Sequence, residues 1–132
     1  MVPRTRTLVT VGNPMTAPAG DAEMLEFAVY NLVSNAVKYS PERTAVRVVS
    51  SRRDGEAVIE VSDQGPGISK EEAAHIFQRF YRTEEAERSD KPGYGLGLMF
   101  VQEIVKHHGG AVSVRSEVGK GSVFTVSIPN RT

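Results

Sequence analysis

The sequence predicts an α+β domain in which helices pack on one face of a mixed, mostly antiparallel sheet. Three observations carry this. Helical apolar spacing recurs over residues 25–37 and 98–108; β-branched runs come in two pairs, each pair joined by a short turn; and Gly-rich corners separate these segments. The chain has 132 residues, enough for one core and not two. Lys+Arg and Asp+Glu number 16 each, so the basic excess of a counterion-releasing nucleic-acid binder is missing. There is no Cys, which excludes disulfide scaffolds, thiol catalysis and Cys-based zinc sites. No apolar run approaches the roughly 18 residues that cross a bilayer, and residues 1–11 lack the apolar stretch of a signal peptide. The expectation is a soluble, cytoplasmic domain that binds no nucleic acid.

Taken in order, residues 7–11 (TLVTV) read as a strand, followed by turn-forming residues 12–20. Asp21 is placed to cap a helix whose apolar stripe is Leu25, Ala28, Val29, Leu32, Val33, Ala36 and Val37, ending before Ser40-Pro41. Residues 45–51 and 57–62 form a hairpin across Arg53-Asp54-Gly55. Ser69 and Glu72 make a capping box for a helix running to about Phe80. Residues 83–93 are charged with almost no apolar anchor and read as mobile. A helix follows with Leu98, Val101, Ile104, Val105 and His108 on one face, stopped by Gly109-Gly110. Strands 111–117 and 122–128 close the chain across Gly119-Lys120-Gly121.

Three groups of residues point to chemistry. Asn31, Asn35 and Lys38 sit at i, i+4 and i+7, so they share one narrow stripe away from the Leu/Val face. Two amides and an ammonium offer carbonyl oxygens to a hard cation and positive charge to a phosphate. Asn is a modest helix former, so propensity does not explain the pair. Asp63 alternates with Ile59 and Val61 onto the core side of its strand, where a charge needs a partner. That partner is either a ligand amino group or the backbone N–H groups of the corner Asp63-Gln64-Gly65-Pro66-Gly67. The third group is Gly93-Tyr94-Gly95-Leu96-Gly97-Leu98, whose backbone N–H groups at a helix start suit a phosphate; a hinge is the plainer alternative. No G-K-[ST] follows it, so it is not a P-loop. The trio Phe77, Phe80, Tyr81 reads as core anchor, and His108 as a core histidine.

Together these stretches resemble the ATP-binding catalytic domain of two-component sensor histidine kinases, within the GHKL superfamily shared with type II topoisomerases and a large heat-shock chaperone. Asn31-Leu-Val-Ser-Asn35-Ala-Val-Lys38-Tyr39-Ser40 is similar to the N box and Asp63-Gln-Gly65-Pro-Gly67 to the G1 box. Residues 76–82 resemble the F box and residues 93–98 the G2 box, while residues 107–110 and 119–124 resemble the closing hairpin. The likeness runs from about Gly20 to Pro129. It implies an α/β sandwich of Bergerat type, a single catalytic domain over residues 1–132, and ATP with Mg²⁺ as cofactors. Asn35, assisted by Asn31, would hold Mg²⁺; Lys38 would meet phosphate, and these three would be the catalytic residues. Tyr39 would flank adenine, Asp63 would bond its amino group, and Gly65, Gly67 and Ile68 would border the base. Phe80, Arg82, Lys91, Gly93, Tyr94, Gly95, Leu96, Gly97 and Leu98 would complete the site, with residues 83–93 as its lid. The lid is short, and Tyr94 stands where the family more often has a small residue.

The resemblance also bears on mechanism. The hydrolysing branch of the superfamily carries a Glu where this chain has Asn31, and a carboxamide is no general base. Slow hydrolysis is expected, with the γ-phosphoryl group held for a histidine on another domain. No acceptor-histidine motif surrounds His75, His107 or His108. The implied protein is therefore the catalytic part of a longer kinase. Its partners would be a dimerisation and histidine-phosphotransfer domain of the same kinase, and a response regulator. The isolated domain is expected to be monomeric, and the parent a membrane-anchored homodimer. An anti-sigma-type serine kinase is the nearest rival; Lys38-Tyr39-Ser40-Pro41 and the F box favour the histidine kinase. A non-catalytic ATP-sensing module would use the same residues.

Overall fold

The computed structural model describes residues 6–11, 22–78 and 97–129. Strand β1 (Arg6–Val11) precedes helix α1 (Ala22–Tyr39). The hairpin β2 (Ala45–Arg53) and β3 (Glu56–Asp63) leads to a short helix α2 (Lys70–Ala73). Helix α3 (Gly97–His107) is followed by the hairpin β4 (Ala111–Glu117) and β5 (Gly121–Pro129). The strands form one sheet of order β1-β2-β3-β5-β4, parallel between β1 and β2 and antiparallel elsewhere. The expected class is therefore the observed one: an α/β sandwich with the helices on one face.

Period-2 alternation sorts the sheet into a buried and an outer face. On the buried face Val48, Val61, Phe124 and Val114 lie directly across four strands, and Ile59, Val126 and Val112 form the next row. Arg47, Ser62 and Arg115 alternate to the other side. Against the apolar rows α1 packs Ala28, Leu32 and Ala36, and α3 packs Val101, Ile104 and Val105. Phe77 meets Phe124 edge-to-face, with ring centroids 6.2 Å apart. His108 is buried as expected, its Nδ1–H donating to the Ile104 carbonyl at 2.8 Å.

Three expectations need correction. Helix α2 ends at Ala73 and not near Phe80: its capping box forms, but after Ala74 the backbone continues as successive i→i+3 turns, His75 to Glu72 and Gln78 to His75. These turns aim Ile76 and Phe77 inward, so burial of the two overrides the helical period. The first hairpin turn is Asp54-Gly55 alone, both at positive φ, because Arg53 still pairs with Glu56; that two-residue turn matches strand twist. Val37, at the edge of the α1 stripe, is exposed. Phe80, Tyr81 and the lid residues 83–93 lie outside the described residues.

Leu32 is among the largest fully buried side chains and sits where α1 meets the sheet. Leu32→Ala should destabilise the domain by about 2–5 kcal/mol. Denaturant titration checks this, with a lower midpoint and unchanged slope as the expected result.

Candidate nucleotide site

The site grows from the corner that follows β3. Asp63 is the last residue of that strand, and its carboxylate turns back to accept the Gly65 N–H at 2.8 Å. It also accepts the backbone N–H of Ser122, its partner across β5. The backbone alternative is thus realised, so Asp63 is not an unpaired charge. Two donors still leave part of a carboxylate's roughly four acceptor positions uncommitted. Burial pushes the Asp63 pKa above its ordinary value, and the Gly65 and Ser122 N–H groups offset that only in part.

Two neighbours hold the corner in place. On one side lies the end of α1, where a Cβ on Gly65 would come within 3.1 Å of the Tyr39 carbonyl oxygen. On the other lies the β4–β5 hairpin. Gly119 N–H donates to the Pro66 carbonyl at 2.8 Å, and Ile68 N–H donates to Ser116 Oγ at 2.8 Å. Gly67 has φ +71°, and a side chain there would overlap the Glu117 carbonyl oxygen. Gly121 has φ +116°, and a side chain there would overlap the Asp63 carbonyl oxygen. The space left by Gly67 therefore faces the hairpin backbone, which accounts for that glycine by fold alone.

This packing sets the end of α1, the helix that carries the amide row, against the corner. Asn31 and Asn35 are half-buried, and Asn31 Nδ2 is buried without a hydrogen-bond partner among the described residues. Such an orphan is costly unless something accepts its protons. Lys38 Nζ lies 6.0 Å from the Tyr39 ring centroid. Ser40 closes the helix by donating to the Ala36 carbonyl through Oγ at 2.7 Å and through its N–H at 3.1 Å. Ile68 and Leu98 pack against the hydrophobic core, and Gly97 opens α3, which packs beside α1. Phe80, Arg82, Lys91, Gly93, Tyr94, Gly95 and Leu96 lie outside the described residues.

Sequence reasoning missed Ser116 and Ser122. The signal was the one used for Asp63: Ser122 continues the parity of Phe124, Val126 and Ile128, and Ser116 that of Val112 and Val114. Polar residues on a core parity needed a reason.

A helix bearing an amide row, closed against a Gly-flanked carboxylate at the end of a mixed sheet, is the arrangement of a nucleotide-binding α/β sandwich. Over residues 20–132 the chain matches the family described as histidine kinase-, DNA gyrase B- and HSP90-like ATPase, and it belongs to that family. Its relatives place it on the sensor histidine kinase side. It is 42% identical over 110 residues to the sensor-like histidine kinase SenX3 of Mycolicibacterium smegmatis, an alignment covering 83% of this chain and 29% of that protein. The mycobacterial sensor histidine kinase MprB has a similar structure, with TM-score 0.86 and 36% identity over 96% of this chain and 84% of that one. Full-length ShkA, crystallised with AMPPNP, gives TM-score 0.83 and 32% identity over 97% of this chain and 26% of that one. The chain thus spans under a third of the SenX3 length. Among the described residues no helix is long and apolar enough to cross a membrane.

The raised pKa of Asp63 sets a sign for stability. The folded state binds its proton more tightly than the unfolded chain does, so this contribution is full at low pH. It is lost as pH rises from the ordinary carboxylate pKa through the raised value. Relative to Asp63→Asn, the wild type should therefore lose stability with rising pH across that window. Denaturant titrations at a series of acidic pH values check this; a wild type that gained on the variant would contradict the assignment.

Proposed function

We propose that this domain binds Mg²⁺-ATP and donates the γ-phosphoryl group to a histidine on a separate dimerisation domain, for relay to a response-regulator aspartate. The observation that carries the reading is that the last turn of α1, the helix that bears Asn31, Asn35 and Lys38, closes on the Asp63 corner where Gly65 lies against the Tyr39 carbonyl. It supports a site with acceptors for a base at one end and amides with a lysine at the other. ShkA, of the same fold, was crystallised with an ATP analogue. The parent kinase would be a membrane-anchored homodimer with this domain in the cytoplasm.

The residues present fit the metal and the nucleotide. The carboxamide oxygens of Asn35 and Asn31 would hold Mg²⁺, which when bound neutralises phosphate charge. The orphaned Asn31 Nδ2 is a donor suited to a phosphate oxygen, and Lys38 adds positive charge. Asp63 would accept from the adenine amino group and Tyr39 would flank the ring. Phosphate contacts from Arg82, Lys91, Gly93, Gly95 and Gly97, closed by residues 83–93, complete the reading. The carboxamides of Asn31 and Asn35 cannot act as a general base for water, so the domain holds the phosphoryl group and orients it. Catalysis then rests on positioning and charge neutralisation.

Asp63→Asn should weaken ATP by roughly tenfold to a hundredfold, the loss of one charge-assisted hydrogen bond of about 1.5–3 kcal/mol. Asn35→Ala should remove the Mg²⁺ dependence of binding. Calorimetric titration with a non-hydrolysable ATP analogue, with and without Mg²⁺, reads both. The transfer itself is tested by supplying a histidine-containing dimerisation domain and radiolabelled ATP. Acid-labile label on that domain is expected. Acid-stable label on a partner would favour a serine kinase, and binding with no transfer a nucleotide-sensing module.

A further inference from the structure

Across β3, β5 and β4 the buried face of the sheet is apolar in the rows through Val61 and Ile59 but polar in the row beside the corner. There Asp63, Ser122 and Ser116 stand directly across three adjacent strands. Ser116 Oγ accepts the Ile68 N–H at 2.8 Å, lies 2.9 Å from the Gly121 carbonyl oxygen and 2.8 Å from Ser122 Oγ. A serine hydroxyl has one proton and two lone pairs. The Gly121 carbonyl only accepts, so the Ser116 proton goes to it. The two lone pairs of Ser116 then take the Ile68 N–H and the Ser122 hydroxyl proton. Ser122, which is buried, is left with lone pairs alone, beside a carboxylate that when ionised also only accepts.

We propose that Ser116 is a specificity-determining positioning residue: by fixing the Ser122 proton it keeps this end of the site free of side-chain donors, so that a 6-aminopurine is taken and a 6-oxopurine refused. The inference rests on the reading of Asp63 as the group that meets the base. An exocyclic amine brings protons to a pair of acceptors. A 6-oxo group brings another acceptor, which would be buried with nothing to satisfy it. Without Ser116 the Ser122 hydroxyl is free to turn and donate, and that refusal weakens.

The test is the ratio of ATP to ITP affinity, measured by calorimetric titration with Mg²⁺ on the wild type, Ser116→Ala, Ser116→Thr and Asp63→Asn. ITP differs at the 6-position without adding a 2-amino group. The wild type should prefer ATP, Ser116→Ala should narrow that preference by about tenfold, and Ser116→Thr, which keeps the hydroxyl, should restore it. A purely structural role would weaken both nucleotides alike and leave the ratio unchanged, which would overturn the proposal. Should Ser116→Ala fail to fold, Ser116→Cys, whose sulfur is too weak an acceptor to hold the Ser122 proton, replaces it; its ratio must narrow too, and an unchanged ratio overturns the proposal. If Asp63→Asn keeps the wild-type ratio, the base-binding reading fails and the proposal falls with it. A ratio narrowed in Asp63→Asn but intact in Ser116→Ala overturns the proposal alone.

Discussion

The corner from Asp63 to Ile68 is held between the last turn of α1 and the β4–β5 hairpin, and the other parts of the site take their positions from that clamp. Gly65 lies against the Tyr39 carbonyl, Gly67 against Glu117, and Gly121 against the Asp63 carbonyl. At Gly67 and Gly121 the contact is backbone on backbone with no room for a side chain, and at Gly65 it is tight. Hydrogen bonds from Gly119 to Pro66 and from Ile68 to Ser116 close the same joint. Segments distant in the chain are thus locked at van der Waals distance, which fixes the end of α1 and the β3 carboxylate relative to each other.

The clamp also explains how a carboxylate is tolerated there. Burial disfavours the charge of Asp63, and the N–H groups of Gly65 and Ser122 return part of what water would have supplied. Asn31 Nδ2, buried without a partner among the described residues, is a second polar group left short. Both sit where the family resemblance puts ligand contacts, while the apolar rows behind them are well packed. Polar groups kept underbonded beside a rigid core are what a preorganised binding site requires, at some expense in stability.

Much of the fold was legible because its signals are local. The α1 stripe, the Ser69–Glu72 capping box and the strand alternation each depend on residues within a few positions of one another. The misreadings also have physical causes. Helical spacing at Phe77 suggested a longer α2, but contact with Phe124 on a distant strand holds that segment in turns. Nothing local shows that a side chain at Gly67 would meet the backbone of a hairpin 50 residues on.

By itself the sequence determined most of the elements, the buried face of each, and the placing of the polar residues that the proposed function uses: Asn31, Asn35 and Lys38 in one helical stripe, and Asp63 on a core parity. These follow from the 3.6 and 2.0 periods of the backbone, which a chain carries wherever it goes. Tertiary structure alone decided which strand lies beside which. Nothing local says that Ser122 faces Asp63, that Ser116 faces Ser122, or that Tyr39 closes on Gly65, because strand order and register are set by the burial of a whole face at once. The direction of a single hydroxyl proton, and with it the proposed choice between two purines, follows from that register.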